Sequence, residues 1–482
     1  MLLIRQAEIY TDSRRTEQNV PMDIRCRNAM IVEIGSSLTP ASGETVLEGN
    51  GGALLPGIHD HHIHLFALAA SRQSIACGPP AINSTQSLAR VLADAGGQGW
   101  IRGTGYHESV AGLLHRKQLD EWVQDRPLRI QHRSGKMWFV NSMAARQLDL
   151  DQHHRLEGVE CDANGAPTGR LFRMDEWLGK QLTDESMPDI KAISRELASY
   201  GVTGVTDATP GNSSATLELF SELIAKGELL QRVRLMGDKS LSAVKNVTTG
   251  QKNPAIHLPD TGSLKIMLDD YALPDFENLK REIMRAHQQA RSVAIHCVTA
   301  VELVFAVSAL REAGALSGDR IEHGSVISDQ MIPLLRSTGI TLVTQPNFIA
   351  EKGDQYISDV DTSEHQDLYR TRSLLDAGIP VGGSTDAPFG NPDPWKAMTA
   401  AVSRKTLGGR TLGQQEQVTP EVALQLFTSP ADDPGGSARN IEVGCSADLC
   451  LLNRPWHSAR LRLKQEDVIT TVCAGKIIWA AG

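Results

Sequence analysis

The chain has 482 residues with a formal net charge of −9, and 22% of its residues are charged. This composition is typical of a globular protein, and the length allows one large domain with additions or two to three domains. The net negative charge and the lack of a Lys/Arg-rich run exclude a surface that follows a nucleic-acid backbone.

Membrane and secretory signals are also missing from the pattern. No apolar run reaches the length of a membrane span, and the first residues lack the charged-then-apolar order of a signal peptide. The 7 cysteines are odd in number and scattered, without a CxxC pair, as in proteins that keep their thiols reduced. We therefore expect a cytoplasmic protein with no membrane or nucleic-acid partner.

Both ends of the chain predict short β-strands. Residues 2–55 alternate apolar and polar positions in four short pieces, and 448–453 and 468–479 do the same near the other end. Polar turn residues such as Asp12-Ser13 and Ala474-Gly475 separate the pieces. We predict that residues 1–55 and 430–482 together form one split β-sandwich domain.

The stretch Leu55–Leu65 combines a buried strand with a histidine-rich end. Because side chains alternate along a strand, Asp60, His62 and His64 are expected to share one face. Two imidazoles on one face can bind the same cation, with Asp60 as an orienting group or counter-charge. A surface loop that binds nothing is the alternative, and the apolar run before Pro56 favours the metal.

Residues 56–429 predict a closed (β/α)8 barrel, which is a TIM barrel. After the first strand, seven short and mostly apolar segments alternate with helical patterns such as 276–291, 300–313 and 367–377. The predicted strands are 202–207, 232–236, 264–268, 292–296, 320–323, 341–345 and 381–384. An open doubly wound sheet is the competing fold, but no Gly-rich phosphate loop follows any of these strands.

About 130 residues separate the first two predicted strands, which is too many for one crossover. Residues 66–195 contain helical and turn signals such as Ser87–Ala95, Pro79-Pro80 and Asn164-Gly165. We predict that this segment is an inserted subdomain over the barrel mouth, where substrate specificity usually resides.

Ligand-type side chains are expected at the carboxyl ends of the barrel strands, which form the catalytic face of such a fold. Lys265 lies in the fourth strand, His296 ends the fifth, His323 ends the sixth and Asp386 follows the eighth. Each residue alone has a structural explanation. Their joint placement with His62 and His64 predicts a metal centre.

These segments resemble motifs of the amidohydrolase superfamily, in its amidohydrolase-3 or YtcJ-like branch of metal-dependent hydrolases. Pro56-Gly57 followed by Asp60-His61-His62-Ile63-His64 is similar to the PGxxDxHxH motif of the family. Its other motifs are matched by the segments Ser263–Asp269, Ala294–His296, Arg320–His323, Gly383–Pro388, Val443–Leu449 and Val472–Lys476. The resemblance covers nearly the whole chain.

The resemblance implies a pair of divalent cations, most often zinc. His62 and His64 would bind one ion together with Asp386, and His296 and His323 would bind the other. Lys265 would bridge them as a carbamate formed with CO2, since an ammonium has no lone pair to offer. A hydroxide between the ions would attack an amide, cyclic amide or N-acyl carbonyl, while Asp386 shuttles the proton to the leaving nitrogen.

The insert departs from the family pattern in the segment Arg133–Ser142. It looks like the DGHxxxVNS segment of the family, but Ser134 replaces the aspartate and Lys136 replaces the histidine. A lysine facing the substrate favours an anionic group such as a carboxylate; the alternative is that Lys136 points to solvent. Tyr106 and His107 lie in another segment of family type and are further candidate substrate contacts.

Two other functions remain open from the sequence. A deaminase on the same scaffold would use one metal ion and leave Lys265 unmodified, whereas a binding protein derived from an enzyme would hold no metal. A small molecule is the expected substrate, and the sequence is compatible with a monomer or a homo-oligomer.

Overall fold

The computed structural model describes residues 1–11, 20–79, 81–182, 187–243 and 258–481. The described residues form two compact units, one made of Met1–Leu65 with Ile190–Gly482 and the other of Phe66–Asp189. None of the described helices is long and apolar enough to cross a membrane. Asp12-Ser13 and Pro80, two of the predicted turn signals, lie outside the described residues.

The first 63 residues contain only strands among the described elements. The second and third strands, Met22–Arg27 and Met30–Gly35, form an antiparallel hairpin whose two turn residues, Asn28 and Ala29, both have positive φ (49° and 68°). Two consecutive residues with positive φ give a hairpin turn whose twist matches that of the flanking strands. The strands are β1 Leu2–Ile9, β2 Met22–Arg27, β3 Met30–Gly35, β4 Thr45–Glu48, β5 Ala53–Pro56 and β6 Ile58–Ile63.

The second unit contains a six-stranded sheet in the order β11-β12-β10-β9-β8-β7. The sequence predicted helices and turns here but did not predict this sheet, because its strands are only two to six residues long. The helices begin at α1 Leu65–Arg72, followed by α2 Thr85–Ala93, α3 Glu108–Ala111, α4 Arg116–Trp122, α5 Ser142–Gln147 and α6 Asp175–Gln181. The strands are β7 Ile75–Ala76, β8 Ile101–Tyr106, β9 Leu128–His132, β10 Met137–Val140, β11 Val159–Cys161 and β12 Pro167–Phe172.

The first unit contains an eight-stranded parallel sheet, which confirms the predicted barrel architecture. After β6, its strands are β13 Val202–Asp207, β14 Arg232–Gly237, β15 Asp260–Met267, β16 Val293–Cys297, β17 Arg320–His323, β18 Thr341–Thr344 and β19 Val381–Gly383. The strand order is β6-β13-β14-β15-β16-β17-β18-β19, and every neighbouring pair is parallel.

Hydrogen bonds just beyond β19 bring the two ends of this sheet together. The amide of Asp386 donates to the carbonyl of His62 at 2.9 Å, and the amide of His64 donates to the carbonyl of Ala387 at 2.9 Å. The sheet is therefore a nearly closed barrel whose first and last strands meet at their carboxyl ends.

Helices follow most of the barrel strands, as the predicted alternation requires. They are α7 Ile190–Ser199, α8 Ser214–Ala225, α9 Phe276–Gln288, α10 Ala300–Ala313, α11 Met331–Thr338, α12 Asn347–Asp359, α13 Arg372–Asp376, α14 Pro394–Ser403 and α15 Pro420–Gln425. Short 3₁₀ helices span Lys239–Ala243, Thr362–Asp367, Gln414–Glu416 and Gln465–Asp467.

One predicted helix is shorter in the structure. The segment 367–377 is not continuous, because the carboxylate of Glu416 accepts the backbone N–H groups of Thr371 and Ser373 at 3.0 Å each. These bonds begin a new helix at Arg372 and separate it from the preceding 3₁₀ helix.

The remaining strands join the two ends of the chain in one sheet. The elements are β20 Leu449–Leu452, α16 Trp456–Ala459, β21 Val468–Cys473 and β22 Lys476–Ala480. The strand order is β22-β21-β20-β5-β1-β2-β3, and β4 also pairs with β1. A two-layer sandwich and its domain boundaries, residues 1–55 with 430–482 against 56–429, stay predictions.

Candidate metal centre

Strand β6 separates its histidines onto two faces, as the alternation predicts. His59 contacts the Thr206 hydroxyl on the outer side at 2.9 Å, and His61 contacts the Ser429 hydroxyl at 3.0 Å. His62 and His64 take the opposite face, where their rings lie 5.2 Å apart between centroids. Two of the four imidazoles in this segment therefore point into the barrel interior.

Asp386 lies against both of these histidines. Its Oδ1 atom is 3.5 Å from Nε2 of His62 and 3.3 Å from Nε2 of His64. One ligand atom from each of the three residues lies within 4.8 Å of the others. This is the spacing expected of ligands that share one cation.

The histidines of β16 and β17 extend the cluster. The His323 ring is 4.9 Å from that of His62 and 4.5 Å from that of His296. His323 has a positive φ of 69°, which is rare for a non-glycine residue. The local change of backbone direction lets both Glu322 and His323 reach the interior, although they are consecutive in a strand.

Lys265 is buried with its ammonium unsatisfied. The side chain is 7% exposed, and among the described residues its Nζ has no hydrogen-bond partner. Burial lowers the pKa of Lys265 to about 8. Lys265 pairs with Ala294 of β16, two residues before His296, so it lies on the strand next to that histidine. Burial and the Lys265 charge lower the pKa of His62 to about 3.

Asp60 lies outside the cluster of His62, His64 and Asp386. It binds Thr385 in a contact that we call the Asp60–Thr385 clamp. Its carboxylate accepts both the hydroxyl and the backbone N–H of Thr385, the latter at 3.1 Å, and also the His62 N–H at 3.2 Å. Burial raises the pKa of Asp60 to about 7. Thr385 therefore ties the segment carrying Asp386 to strand β6.

Three further residues support the histidines and were missed by the sequence analysis. Glu322 accepts from His62 Nδ1, and the Arg320 guanidinium binds both oxygens of the same carboxylate. Gln345 Oε1 accepts from His323 Nδ1 at 2.8 Å. Glu322 and Arg320 belong to the motif segment Arg320–His323, so the sequence contained a signal for both residues. No local pattern identified Gln345.

The residues of this cluster fit a divalent cation. Imidazole nitrogens and a carboxylate are ligands that zinc and similar ions prefer. Asp386 Oδ1 and Lys265 Nζ are both buried without a hydrogen-bond partner in the described part of the chain. Buried polar atoms without partners are costly, and a ligand that binds them relieves that cost.

The candidate substrate residues of the insert have contacts within their own unit. The Tyr106 side chain is fully buried, and its hydroxyl donates to the Gly112 carbonyl at 2.5 Å. His107 precedes α3, where its Nδ1 accepts the backbone N–H of Ser109 at 3.3 Å. Lys136 is partly buried immediately before β10. Their contact with a substrate stays a prediction.

The amino-acid sequence of the chain is similar to those of known hydrolases. A family model described as "Amidohydrolase family" matches residues 46–479. The chain is 26% identical over 484 residues to an N-substituted formamide deformylase of Arthrobacter pascens, with 89% of each chain covered. It is 23% identical over 481 residues to the putative amidohydrolase YtcJ of Bacillus subtilis (strain 168), again with 89% of each covered.

A solved structure agrees with the fold. The crystal structure of an uncharacterized metal-dependent hydrolase from Pyrococcus horikoshii OT3 superposes with a TM-score of 0.74 at 20% identity, covering 94% of this chain and 97% of the other. Because the family model spans most of the sequence, the chain belongs to the amidohydrolase family and is a hydrolase that acts on carbon–nitrogen bonds.

Proposed function

We propose that this enzyme is a metal-dependent hydrolase of an amide, cyclic amide or N-acyl bond, and that N-substituted formamides are the first substrate class to test. The observation that carries the proposal is the convergence of His62, His64 and Asp386, whose ligand atoms lie within 4.8 Å of one another. The resemblance to a formamide deformylase over 89% of both chains supports the substrate class.

The proposed centre holds two divalent cations, with zinc as the expected metal. His62, His64 and Asp386 would hold one ion, and His296 and His323 the other. Lys265 would join them after its neutral amine adds to CO2, which forms an N–C bond, releases one proton and leaves a carbamate anion. A pKa lowered to about 8 by burial supports this step, because it increases the fraction of neutral amine near neutral pH.

The chain's own residues would handle the proton of the reaction. Bound divalent ions would supply Lewis-acid polarisation of the scissile carbonyl and would lower the pKa of a water molecule towards neutrality. Burial alone would raise the pKa of Asp386, but its contacts with the imidazoles of His64, His323 and His62, the nearest at 3.3 Å, hold it well below its usual value. Asp386 is therefore ionised, ready to accept a proton from water and return it to the leaving nitrogen.

The insert would select the substrate. Lys136, which replaces the histidine of the family motif, would pair with an anionic group of the substrate, and Tyr106 and His107 are the other candidate contacts. A substrate panel tests this: formamides that carry a carboxylate should be preferred over neutral ones of equal size, and the Lys136→Met variant should lose that preference.

The decisive experiment counts metals and measures hydrolysis in matched variants. His62 and His59 are both buried histidines of β6 but face opposite sides of the strand. We expect about two zinc ions per chain and release of formate from N-substituted formamides in the wild type. His62→Asn should lose at least one ion and nearly all activity, whereas His59→Asn should retain its metals.

Each alternative has its own outcome in this experiment. One metal per chain, an unmodified Lys265 by mass spectrometry and release of ammonia from a ring amidine would indicate a deaminase. A wild-type protein that binds no zinc after reconstitution with zinc and bicarbonate would indicate a binding protein. Equal metal content in the His62→Asn variant and the wild type would contradict the ligand assignment.

A further inference from the structure

A chain of hydrogen bonds behind His323 determines which of its ring nitrogens carries the proton. Ser384 Oγ donates to the carbonyl of Thr344 at 3.2 Å, because a carbonyl can only accept. The same hydroxyl then accepts from Gln345 Nε2 at 2.9 Å. This contact orients the amide so that Gln345 Oε1 faces His323 Nδ1 at 2.8 Å.

The amide oxygen of Gln345 has no proton to give, so His323 must donate through Nδ1. A neutral imidazole carries one N–H and one lone pair. With the N–H at Nδ1, the lone pair of His323 is at Nε2. All members of this chain are buried: Thr344, Gln345 and Ser384 are 0% exposed, so water does not compete for these bonds.

A different contact gives His62 the same orientation. Glu322 is held at both oxygens by the guanidinium of Arg320, whose Nη2 also donates to the His61 carbonyl at 2.6 Å. A carboxylate bound in this way is an acceptor only, so His62 donates to it through Nδ1. The His62 lone pair is then at Nε2, the nitrogen that lies 3.5 Å from Asp386 Oδ1.

We infer that Gln345 and Glu322 are positioning residues that fix His323 and His62 as Nδ1–H tautomers and thereby present two Nε2 lone pairs to the metal centre. The inference rests on the proposed function, because it requires that the two histidines bind metal. Two independent anchors, the Thr344 carbonyl and the Arg320 guanidinium, prepare the ligands before any ion binds. Outer contacts of this kind change metal affinity by about 10- to 100-fold when they are removed.

The test measures Zn²⁺ affinity of the full-length protein, first stripped by a chelator and then titrated in competition with a chromophoric chelator. Gln345→Met keeps the size of the side chain but removes the acceptor, and should weaken Zn²⁺ binding by about 10- to 100-fold. Gln345→Glu keeps an acceptor for His323 Nδ1 and should restore affinity to within about 3-fold of the wild type. A merely structural role would not produce this rescue.

The second anchor is tested in the same way. In Glu322→Gln, the amide nitrogen can donate to His62 Nδ1 and move the ring proton to Nε2, so we expect a loss of about 10- to 100-fold. The absorption spectrum of the Co²⁺-loaded variant should also change, because a ligand is lost. The matched control is Thr206→Val, which removes a buried 2.9 Å hydroxyl bond to His59 but touches no proposed ligand, and should leave Zn²⁺ affinity unchanged.

The possible failures are distinguishable. A wild-type protein without Zn²⁺ affinity would overturn the proposed function. If the wild type binds Zn²⁺ and the folded Gln345→Met and Glu322→Gln variants bind it equally well, only the positioning role is refuted. Should either variant fail to fold, Ser384→Ala decides: it frees the Gln345 amide to rotate, and wild-type Zn²⁺ affinity in that variant would refute the inference.

Discussion

Replacing Lys265 by methionine should stabilise the metal-free protein while it removes function. The pKa of this buried lysine is lowered by desolvation from 10.5 to about 8. A difference of about 2.5 between the two values corresponds to about 3 kcal/mol, which is the cost of holding the ammonium in the folded state at pH 7. Methionine fills a similar volume without a charge, so Lys265→Met should gain about 3 kcal/mol in the free energy of unfolding.

The pH dependence follows from the direction of this shift. Because the pKa of Lys265 is lower in the folded state than in the unfolded chain, the unfolded state binds more protons between pH 8 and 10.5. The metal-free wild type should therefore gain stability relative to Lys265→Met as the pH rises through that range, and the advantage of the variant should be largest below pH 8.

The assay is urea unfolding of chelator-treated protein at pH 7 and pH 9.5, followed by circular dichroism. Lys239→Met is the control, since that lysine is exposed and pairs with Glu282 at 3.1 Å, a contact typically worth less than about 1 kcal/mol. A Lys265→Met variant that is less stable than the wild type at pH 7, or equally stable at both pH values, would refute the reasoning.

Three further predictions concern the site and its support. Lys265→Ala should retain one of two zinc ions and lose most activity, and short carboxylic acids should partly restore turnover by replacing the carbamate; full activity without them would show that the lysine is not a ligand. Asp386→Asn should lower turnover by about 10²- to 10⁴-fold with an unchanged circular dichroism spectrum, whereas a loss below 10-fold would assign the proton transfer to another group. Burial raises the pKa of Asp393, the N-cap of α14, to about 6, so its ionisation destabilises the fold as the pH rises from 3.8 to 6. Asp393→Asn retains a capping oxygen and should be about 3 kcal/mol more stable than the wild type at pH 7.5 but not at pH 3.5. A difference in the free energy of unfolding that is the same at both pH values would contradict this cause.

The barrel was predictable because its signals are local. The strands Val202–Asp207 and Arg320–His323 were predicted with the bounds that the structure has. The first is a short run rich in β-branched residues, which leaves few other interpretations, and the second was identified by its place in the strand–helix alternation. The helix Ala300–Ala313 was also predicted with its observed bounds, and in the structure a capping box at Thr299 and Glu302 begins it.

The six-stranded sheet of the insert was not predicted because its pairing is decided by distant segments. Strand β10 lies between β9 and β12, and neither its four residues nor its polarity pattern identifies those partners. The broken helix near residue 370 has the same origin, since the carboxylate that interrupts it comes from Glu416, more than forty residues away.

The sequence by itself determined the barrel strands and the residue types at their carboxyl ends, because strand alternation and apolar runs act over a few residues. Only the tertiary structure decided how those side chains are used. The left-handed backbone of His323, the Asp60–Thr385 clamp and the contacts that orient His62 and His323 join residues far apart in the chain. Hydrogen bonds of this kind depend on distance and direction in space, which the order of residues along a strand does not encode.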